Sequence, residues 1–119
     1  MARILIADDA MFMRVSIKKI LVQAGYEVVA EAENGRVAVS LFGSTSPDLV
    51  MLDITMPEMD GLAALREIRS ANPHARVVMC TALGQEAKVR EAIEGGARDY
   101  VVKPFTPDKL LAAVERALA

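Results

Sequence analysis

Near the N-terminus the chain reads ILIADD at residues 4–9, an apolar run that ends in two carboxylates. A second apolar run, LVML at residues 49–52, ends in the same way at Asp53. If both runs are parallel strands of one sheet, Asp8, Asp9 and Asp53 meet at the edge where strands give way to loops. Three crowded carboxylates repel one another strongly unless a cation lies among them. These stretches therefore predict a parallel α/β sheet with a cation site at its edge.

Five short β-type runs alternate with five helical patterns. The predicted strands are Arg3–Ala7, Glu27–Ala32, Leu49–Leu52, Arg76–Cys80 and Asp99–Val102. Four of these runs are nearly continuous in Ile, Leu, Val and Met, as is typical of strands covered on both faces. The second run carries polar residues and is more typical of an edge strand. Alternating β and α segments predict a parallel sheet with right-handed crossovers and helices on both faces.

The segments between the strands show apolar residues at helical spacing. Asn34 is the predicted N-cap of the second helix, and the fifth helix begins near Pro107. The apolar residues of the fourth helix are Ala87, Val89, Ala92 and Ile93. That helix is predicted to end at the glycine pair that follows, residues 95–96.

The composition indicates a single folded domain over residues 1–119. Hydrophobic residues make up 53% of the chain, and the length allows one core but not two. No apolar run approaches a membrane span, and the N-terminus lacks signal-peptide anatomy. The net charge of -2, with dispersed basic residues, argues against nucleic acid as a direct partner. The single Cys80 cannot form an internal disulfide, which favours the cytoplasm.

Five residues of suitable chemistry fall at, or one residue past, the carboxyl ends of predicted strands: Asp8, Asp9, Asp53, Thr81 and Lys103. Asp53 is the candidate nucleophile, because a carboxylate can accept a phosphoryl group as an aspartyl phosphate. Asp9, with Asp8, would hold Mg²⁺, which prefers oxygen ligands. Lys103 offers a positive charge to the phosphoryl group, and the Thr81 hydroxyl offers a hydrogen bond. Together these residues predict a magnesium-dependent phosphoryl site.

Each of these residues also has a simpler interpretation when it is taken alone. Asp8 or Asp9 would cap the first helix, and Asp53 would be an ordinary loop acid. Lys103 would be a solvated surface lysine, and Thr81 would be a helix cap. Five coincidences at one edge of a sheet make the functional interpretation the better one.

Other phosphate chemistries find little support in the sequence. The chain contains neither a G-x-x-x-x-G-K-[ST] loop nor a G-x-G-x-x-G loop, so a nucleotide-binding enzyme is not expected. A haloacid-dehalogenase-type phosphatase requires a second aspartate two residues after the nucleophile, where this chain has Thr55. The only histidine, His74, lies far from any nucleophile elbow, which argues against Ser/His/Asp hydrolysis.

The chain resembles the receiver domains of bacterial two-component response regulators over essentially its full length. The matching pieces are Asp8-Asp9, Asp53 with Met56-Pro57 and Asp60-Gly61, Thr81-Ala82, and Lys103-Pro104-Phe105. The resemblance implies a flavodoxin-like (βα)5 domain with strand order 2-1-3-4-5. It also implies that Asp53 is the phosphoacceptor, and that Asp8, Asp9, Asp53 and the Thr55 backbone carbonyl arrange Mg²⁺.

The resemblance further implies a cis peptide between Lys103 and Pro104 and a switch formed by Thr81 and Tyr100. In that switch the hydroxyl moves toward the phosphoryl group while the aromatic ring turns inward. The residues two positions after the phosphoacceptor and two after the threonine, here Thr55 and Leu83, tune dephosphorylation in the family. Because Leu83 is apolar, we expect it to shield the phosphoryl group from water.

Within the family, the stretches at residues 8–14, 53–61 and 84–85 are similar to chemotaxis regulators of the Gram-positive and thermophile type. That similarity implies three partners: a histidine kinase, the flagellar switch or another output protein that binds the helix 4–strand 5–helix 5 face, and a phosphatase. A single-domain phosphorelay intermediate, or a receiver cut from a longer transcriptional regulator, would look similar. Two other hypotheses remain open: an aspartate-nucleophile phosphohydrolase, and a receiver-like module that never needs phosphate.

Overall fold

Strands and helices alternate along the chain, as the sequence predicts. The structure, a computed structural model, describes all of residues 1–119. The strands are β1 (Arg3–Ala7), β2 (Glu27–Ala32), β3 (Leu49–Asp53), β4 (Val77–Ala82) and β5 (Asp99–Lys103). The helices are α1 (Met11–Gln23), α2 (Gly35–Thr45), α3 (Gly61–Ala71), α4 (Glu86–Glu94) and α5 (Pro107–Leu118). None of the helices has the length and apolar composition needed to cross a membrane.

All five strands pair in parallel in one sheet, in the order β2-β1-β3-β4-β5. The predicted doubly wound (βα)5, flavodoxin-like fold is therefore confirmed, with the polar β2 at one edge. β3 lies in the middle of the sheet, and all of its residues are buried. Because the strands are parallel, their carboxyl ends share one end of the sheet, which we call the carboxyl edge.

Alternating side chains of the strands divide the interior into two apolar layers. On β1, Ile4 and Ile6 belong to the layer beneath α1 and α5, which also contains Leu21 and Leu110. The intervening Leu5 belongs to the opposite layer, beneath α2, α3 and α4. This two-faced burial explains why the strand sequences are continuously apolar rather than alternating.

Three strands extend further into polar sequence than predicted. β3 includes Asp53, β4 runs from Val77 to Ala82 rather than from Arg76 to Cys80, and β5 includes Lys103. Backbone pairing causes these extensions, since Asp53 pairs with Cys80 and Ala82 pairs with Lys103. The extended pairing places the polar side chains on regular strand backbone rather than on loops.

The helix ends follow the predicted capping for α2 and α5. The Asn34 side chain accepts a hydrogen bond from the Val37 N–H, and α5 begins at Pro107 after the cap Thr106. The predicted apolar stripe of α4 is partly wrong. Ala87 and Ile93 are exposed, and the helix is buried only at Ala92. α4 is therefore the most shallowly packed helix of the molecule.

Candidate functional site

Three carboxylates meet at the carboxyl edge. Asp53 ends β3 and is 6% exposed, while Asp8 follows β1 and is 1% exposed. Asp9 is exposed to solvent. One carboxylate oxygen from each residue lies within 4.8 Å of the others. The register of β1 and β3 causes this meeting, because Ala7 pairs with Leu52 and the acids follow directly.

Lys103 ends β5 and reaches across the edge to two of these acids. Its Nζ lies 2.7 Å from Asp8 Oδ2 and 3.2 Å from Asp53 Oδ2. The peptide bond between Lys103 and Pro104 is cis. The lysine neutralises part of the negative charge of the cluster, which allows two carboxylates to be buried together.

The electrostatics of Asp53 reflect this crowding. Burial of the carboxyl group, which the Lys103 charge opposes and the Asp8 charge reinforces, raises the pKa of Asp53 from 3.8 to about 6. Hydrogen bonds from Lys103 and from the Thr55 backbone also act against the rise in pKa. Burial disfavours the charged form of Lys103, but its hydrogen bond to Asp8 and the two carboxylate charges outweigh this, so the pKa of Lys103 is raised. Asp53 is therefore anionic at neutral pH but is a stronger base than a solvated aspartate.

The loop after β1 orients Asp8 through its backbone. Asp8 Oδ1 accepts a hydrogen bond from the Ala10 N–H at 2.9 Å. Ala10 is the N-cap of α1 and no side chain caps that helix, so the helix-cap interpretation of Asp8 and Asp9 is wrong. Arg14, which sequence reasoning missed, donates from Nη1 to the Asp8 backbone carbonyl at 2.6 Å and lies 3.4 Å from Glu31. No local sequence pattern predicts this contact between the α1 helix and the end of β1.

The donor set suits a divalent cation with oxygen ligands. Asp9 makes no hydrogen bond or ion pair in the structure, and its carboxylate lies beside the two buried acids. Three clustered carboxylates, one of them open to solvent, match the preference of Mg²⁺ for hard, anionic oxygens and retained water. Thr55, whose carbonyl is the remaining ligand implied by the resemblance, lies exposed in the loop after β3.

Thr81 lies on β4, next to the strand end of Asp53, with 1% exposure. Its hydroxyl donates to Gln85 Oε1 at 2.8 Å. Gln85 also accepts from the Ala82 N–H at 3.0 Å and donates through Nε2 to Thr55 Oγ1 at 3.0 Å. Sequence reasoning missed Gln85, because its bond to Thr55 spans 30 positions of the chain.

Tyr100 lies on β5 outside the acid cluster and is 43% exposed. Two cavities of about 330 Å³ each have Tyr100 in their walls. One lies toward α4 and is also lined by Thr81 and Val89, and the other lies toward α5 and is also lined by Arg116. Open space therefore adjoins Tyr100 both toward α4, where Thr81 lies, and toward α5.

The arrangement of fold and site corresponds to a known class of signalling domain. The family model described as response regulator receiver domain matches residues 4–115. The chain belongs to this family, whose members act in two-component signalling.

Individual relatives narrow the class to receivers of the CheY type. The chain is 57% identical to the chemotaxis protein CheY of Bacillus subtilis, covering 98% of this chain and 97% of that protein. It is 50% identical to CheY of Thermotoga maritima, covering 96% and 95%. A CheX–CheY complex with BeF3 and Mg²⁺ from Borrelia burgdorferi matches with a TM-score of 0.95 at 34% identity, covering 99% of this chain and 90% of that one. The predicted resemblance to chemotaxis receivers is thus confirmed.

Proposed function

We propose that this protein is a phosphorylation-dependent switch in chemotaxis signalling, in which Asp53 accepts a phosphoryl group from a kinase histidine. The observation that carries the proposal is the position of Asp53. It lies buried at the end of the central strand, in contact with Lys103 and beside two further acids. A solitary buried carboxylate would have no such partners.

The transfer follows from the chemistry of these side chains. An Asp53 carboxylate oxygen attacks phosphorus, the P–N bond to the kinase imidazole breaks, and the imidazole leaves with that bond's electron pair and takes up a proton. The pKa of Asp53, about 6 in the metal-free protein, leaves its carboxylate ionised at neutral pH, as a nucleophile must be. Lys103 then pairs with the oxygens of the transferred group.

Asp8, Asp9, Asp53 and the Thr55 carbonyl are the proposed ligands of Mg²⁺. When bound, the ion neutralises charge on the phosphoryl oxygens and on the three acids. Lys103, whose Nζ lies 2.7 Å from Asp8 Oδ2, would supply a further positive charge to the incoming phosphoryl group. The lysine charge reduces the repulsion between an anionic nucleophile and an anionic phosphoryl group, and a bound Mg²⁺ would reduce it further.

Thr81 and Tyr100 are proposed to transmit the effect of phosphorylation from Asp53 to the surface that binds the output partner. The hydroxyl of Thr81 hydrogen-bonds to the new phosphoryl group, and Tyr100 turns into the cavity on the α4 side, about 330 Å³ in volume. This changes the α4–β5–α5 face, through which the flagellar switch protein or another output partner would bind. The Borrelia CheY that resembles this chain was solved with CheX, which supports a second protein partner, here proposed to be a phosphatase.

We place the protein in the cytoplasm, where its one thiol, Cys80, stays reduced.

Intact-mass spectrometry after incubation with acetyl phosphate and Mg²⁺ tests the proposal. We expect one added phosphoryl group in the parent and none in Asp53→Asn or without metal. Asp108→Asn, the same change at an exposed position of α5, is the matched control and should be labelled like the parent. Labelling of Asp53→Asn would contradict the assignment. Continuous phosphate release over many turnovers would instead identify a phosphohydrolase.

A further inference from the structure

The side chain of Gln85 joins the two loops that border Asp53. On one side its Oε1 accepts from the Thr81 hydroxyl at 2.8 Å and from the Ala82 N–H at 3.0 Å. On the other side its Nε2 donates to Thr55 Oγ1 at 3.0 Å. No other side-chain hydrogen bond connects the loop after β3 with the loop after β4.

The orientation of this amide is fixed by its neighbours. A backbone N–H can only donate, so the atom of Gln85 that faces Ala82 must be the oxygen. The Thr81 hydroxyl, which faces the same oxygen, therefore donates its only proton to Gln85. Its weaker contact, 3.2 Å to the Ala82 carbonyl, would need that same proton.

Gln85 occupies the N-cap position of α4 but does not cap the helix. Its side chain makes no hydrogen bond to the first turn, and glutamine is not among the residues preferred at N-caps. The polar end of the side chain is instead directed back to Thr81 and Thr55. Gln85 therefore connects the loops around Asp53 by hydrogen bonds and does not cap the helix that follows it.

We infer that Gln85 is a positioning residue that holds the Thr81 hydroxyl while Asp53 is unphosphorylated and competes with the phosphoryl group for its proton. The inference extends the proposed function, on which it depends. A hydroxyl has one proton, so Thr81 cannot donate to Gln85 and to a phosphoryl oxygen at once. Phosphorylation must therefore break the bond to Gln85, which frees the amide from Thr81 and weakens the link to Thr55.

The test is the affinity for fluoroberyllate, a tetrahedral stand-in for the phosphoryl group, in the presence of Mg²⁺. Gln85→Met keeps the length of the side chain but removes all three hydrogen bonds. We expect this variant to reach half-saturation at about fivefold lower fluoroberyllate than the parent, the population change that one neutral hydrogen bond supports. Gln23→Met, the same change at an exposed residue with no hydrogen-bonded side chain, should match the parent.

A double-mutant cycle separates competition for the proton from a general effect on the loop. In a Thr81→Val background no hydroxyl is present, so Gln85→Met should no longer change the fluoroberyllate affinity. Three-bond couplings to the Thr81 methyl carbon should show one χ1 rotamer in the unliganded parent and rotamer averaging in Gln85→Met.

The outcomes distinguish the inference from the proposed function. If the parent binds fluoroberyllate and Gln85→Met binds no more tightly, or its gain persists in Thr81→Val, the role of Gln85 is wrong while the phosphoacceptor function stands. If the parent neither binds fluoroberyllate nor takes up a phosphoryl group from acetyl phosphate, both are wrong. Tighter binding that vanishes in Thr81→Val, with rotamer averaging, supports the competition.

Discussion

The loop after β3 and the loop after β4 are neighbours at the carboxyl edge, but they are held in different ways. In the first loop Ile54 and Met56 are buried, and the Gly61 N–H donates to the Ile54 carbonyl at 2.7 Å. In the second loop Leu83 and Gly84 are both exposed, as is Ala82 at the end of β4. Packed backbone fixes the loop that follows Asp53, whereas the side-chain bonds of Gln85 tie the loop that follows β4 to the rest of the site.

The two ways of holding the loops suit two different roles, accepting the phosphoryl group and responding to it. The group proposed to accept the phosphoryl group needs one geometry, and close backbone packing supplies it because packed interiors deform little. The group proposed to sense the phosphoryl group must change partners. A neutral hydrogen bond contributes only about 1 kcal/mol, so a new anion can displace it.

The largest expected effect comes from a pair of glycine substitutions, one at the start of α3, where the first loop ends, and one within the second loop. A Cβ on Gly61 would overlap the Asp53 carbonyl oxygen and lie 2.8 Å from Ile54 Cα, so Gly61→Ala should lower the free energy of unfolding by about 3 kcal/mol. Gly84 has a φ of +88° but nothing within 4 Å of its Cβ position, so Gly84→Ala should cost only about 1 kcal/mol. Urea denaturation of the two variants measures the difference.

Gly43→Ala is the reference for this pair, since Gly43 is exposed in α2 and its Cβ position is open. It should raise the free energy of unfolding by about 0.5–1 kcal/mol, through helix propensity alone. Equal losses for Gly61→Ala and Gly84→Ala would show that the two loops are equally constrained.

A smaller effect should appear in the pH dependence of stability. Asp53 binds its proton more tightly in the folded chain, because its pKa rises from 3.8 to about 6. Its protonation therefore stabilises the fold fully below pH 3.8, and this contribution is lost as the pH rises through 6. Asp53→Asn does not titrate, so in metal-free buffer its stability relative to the parent should increase by about 2 kcal/mol between pH 4 and pH 8.

The matched control for the pH experiment is Asp108→Asn, at an exposed position of α5. Only a pH dependence of Asp53→Asn that is larger than that of Asp108→Asn reports on the buried carboxylate. A difference between Asp53→Asn and the parent that does not vary with pH would rule out a raised pKa for Asp53. Saturating Mg²⁺ should lower that pKa and flatten the parent's pH profile, because a nearby cation favours the ionised carboxylate.

The smallest effect concerns the exposed loop after β4. Leu83 is 79% exposed, two residues after Thr81. If its apolar side chain keeps water from the phosphoryl group, Leu83→Glu and Leu83→Asn should lose the group faster than the parent, by about threefold or 0.6 kcal/mol in the barrier. Decay of the phosphoprotein after kinase removal measures this rate. Equal or faster decay in the parent would mean that Leu83 gives no shielding.

Much of the fold could be predicted because the strands are covered on both faces. Continuous apolar runs mark β1 with the observed bounds and locate β3, β4 and β5 to within two residues, while the more polar β2 was also predicted with the observed bounds. The errors fall where β3, β4 and β5 continue into Asp53, Ala82 and Lys103. Backbone pairing does not depend on side-chain polarity, so an apolar run underestimates a strand that ends in functional residues. The strand order followed from the family resemblance, since five similar apolar runs do not specify it.

Part of the candidate site could likewise be predicted from the sequence, and part could not. The acids and Lys103 could be placed together because parallel strands bring their carboxyl ends to one edge. The contacts of Arg14 with the Asp8 carbonyl and of Gln85 with Thr55 could not, because each joins an element to a distant loop through one long side chain. Such contacts depend on helix orientation and on rotamers, which spacing along the chain does not determine.

Cys80 gives the structure one more experimental use. It pairs with Asp53 across β3 and β4, and burial raises the pKa of its thiol to about 12. The reactive thiolate is therefore almost absent at neutral pH while the side chain stays buried. The Cys80 side chain lies in the apolar layer beneath α1 and α5, so alkylation of this single thiol in native buffer reports how often that layer opens to solvent.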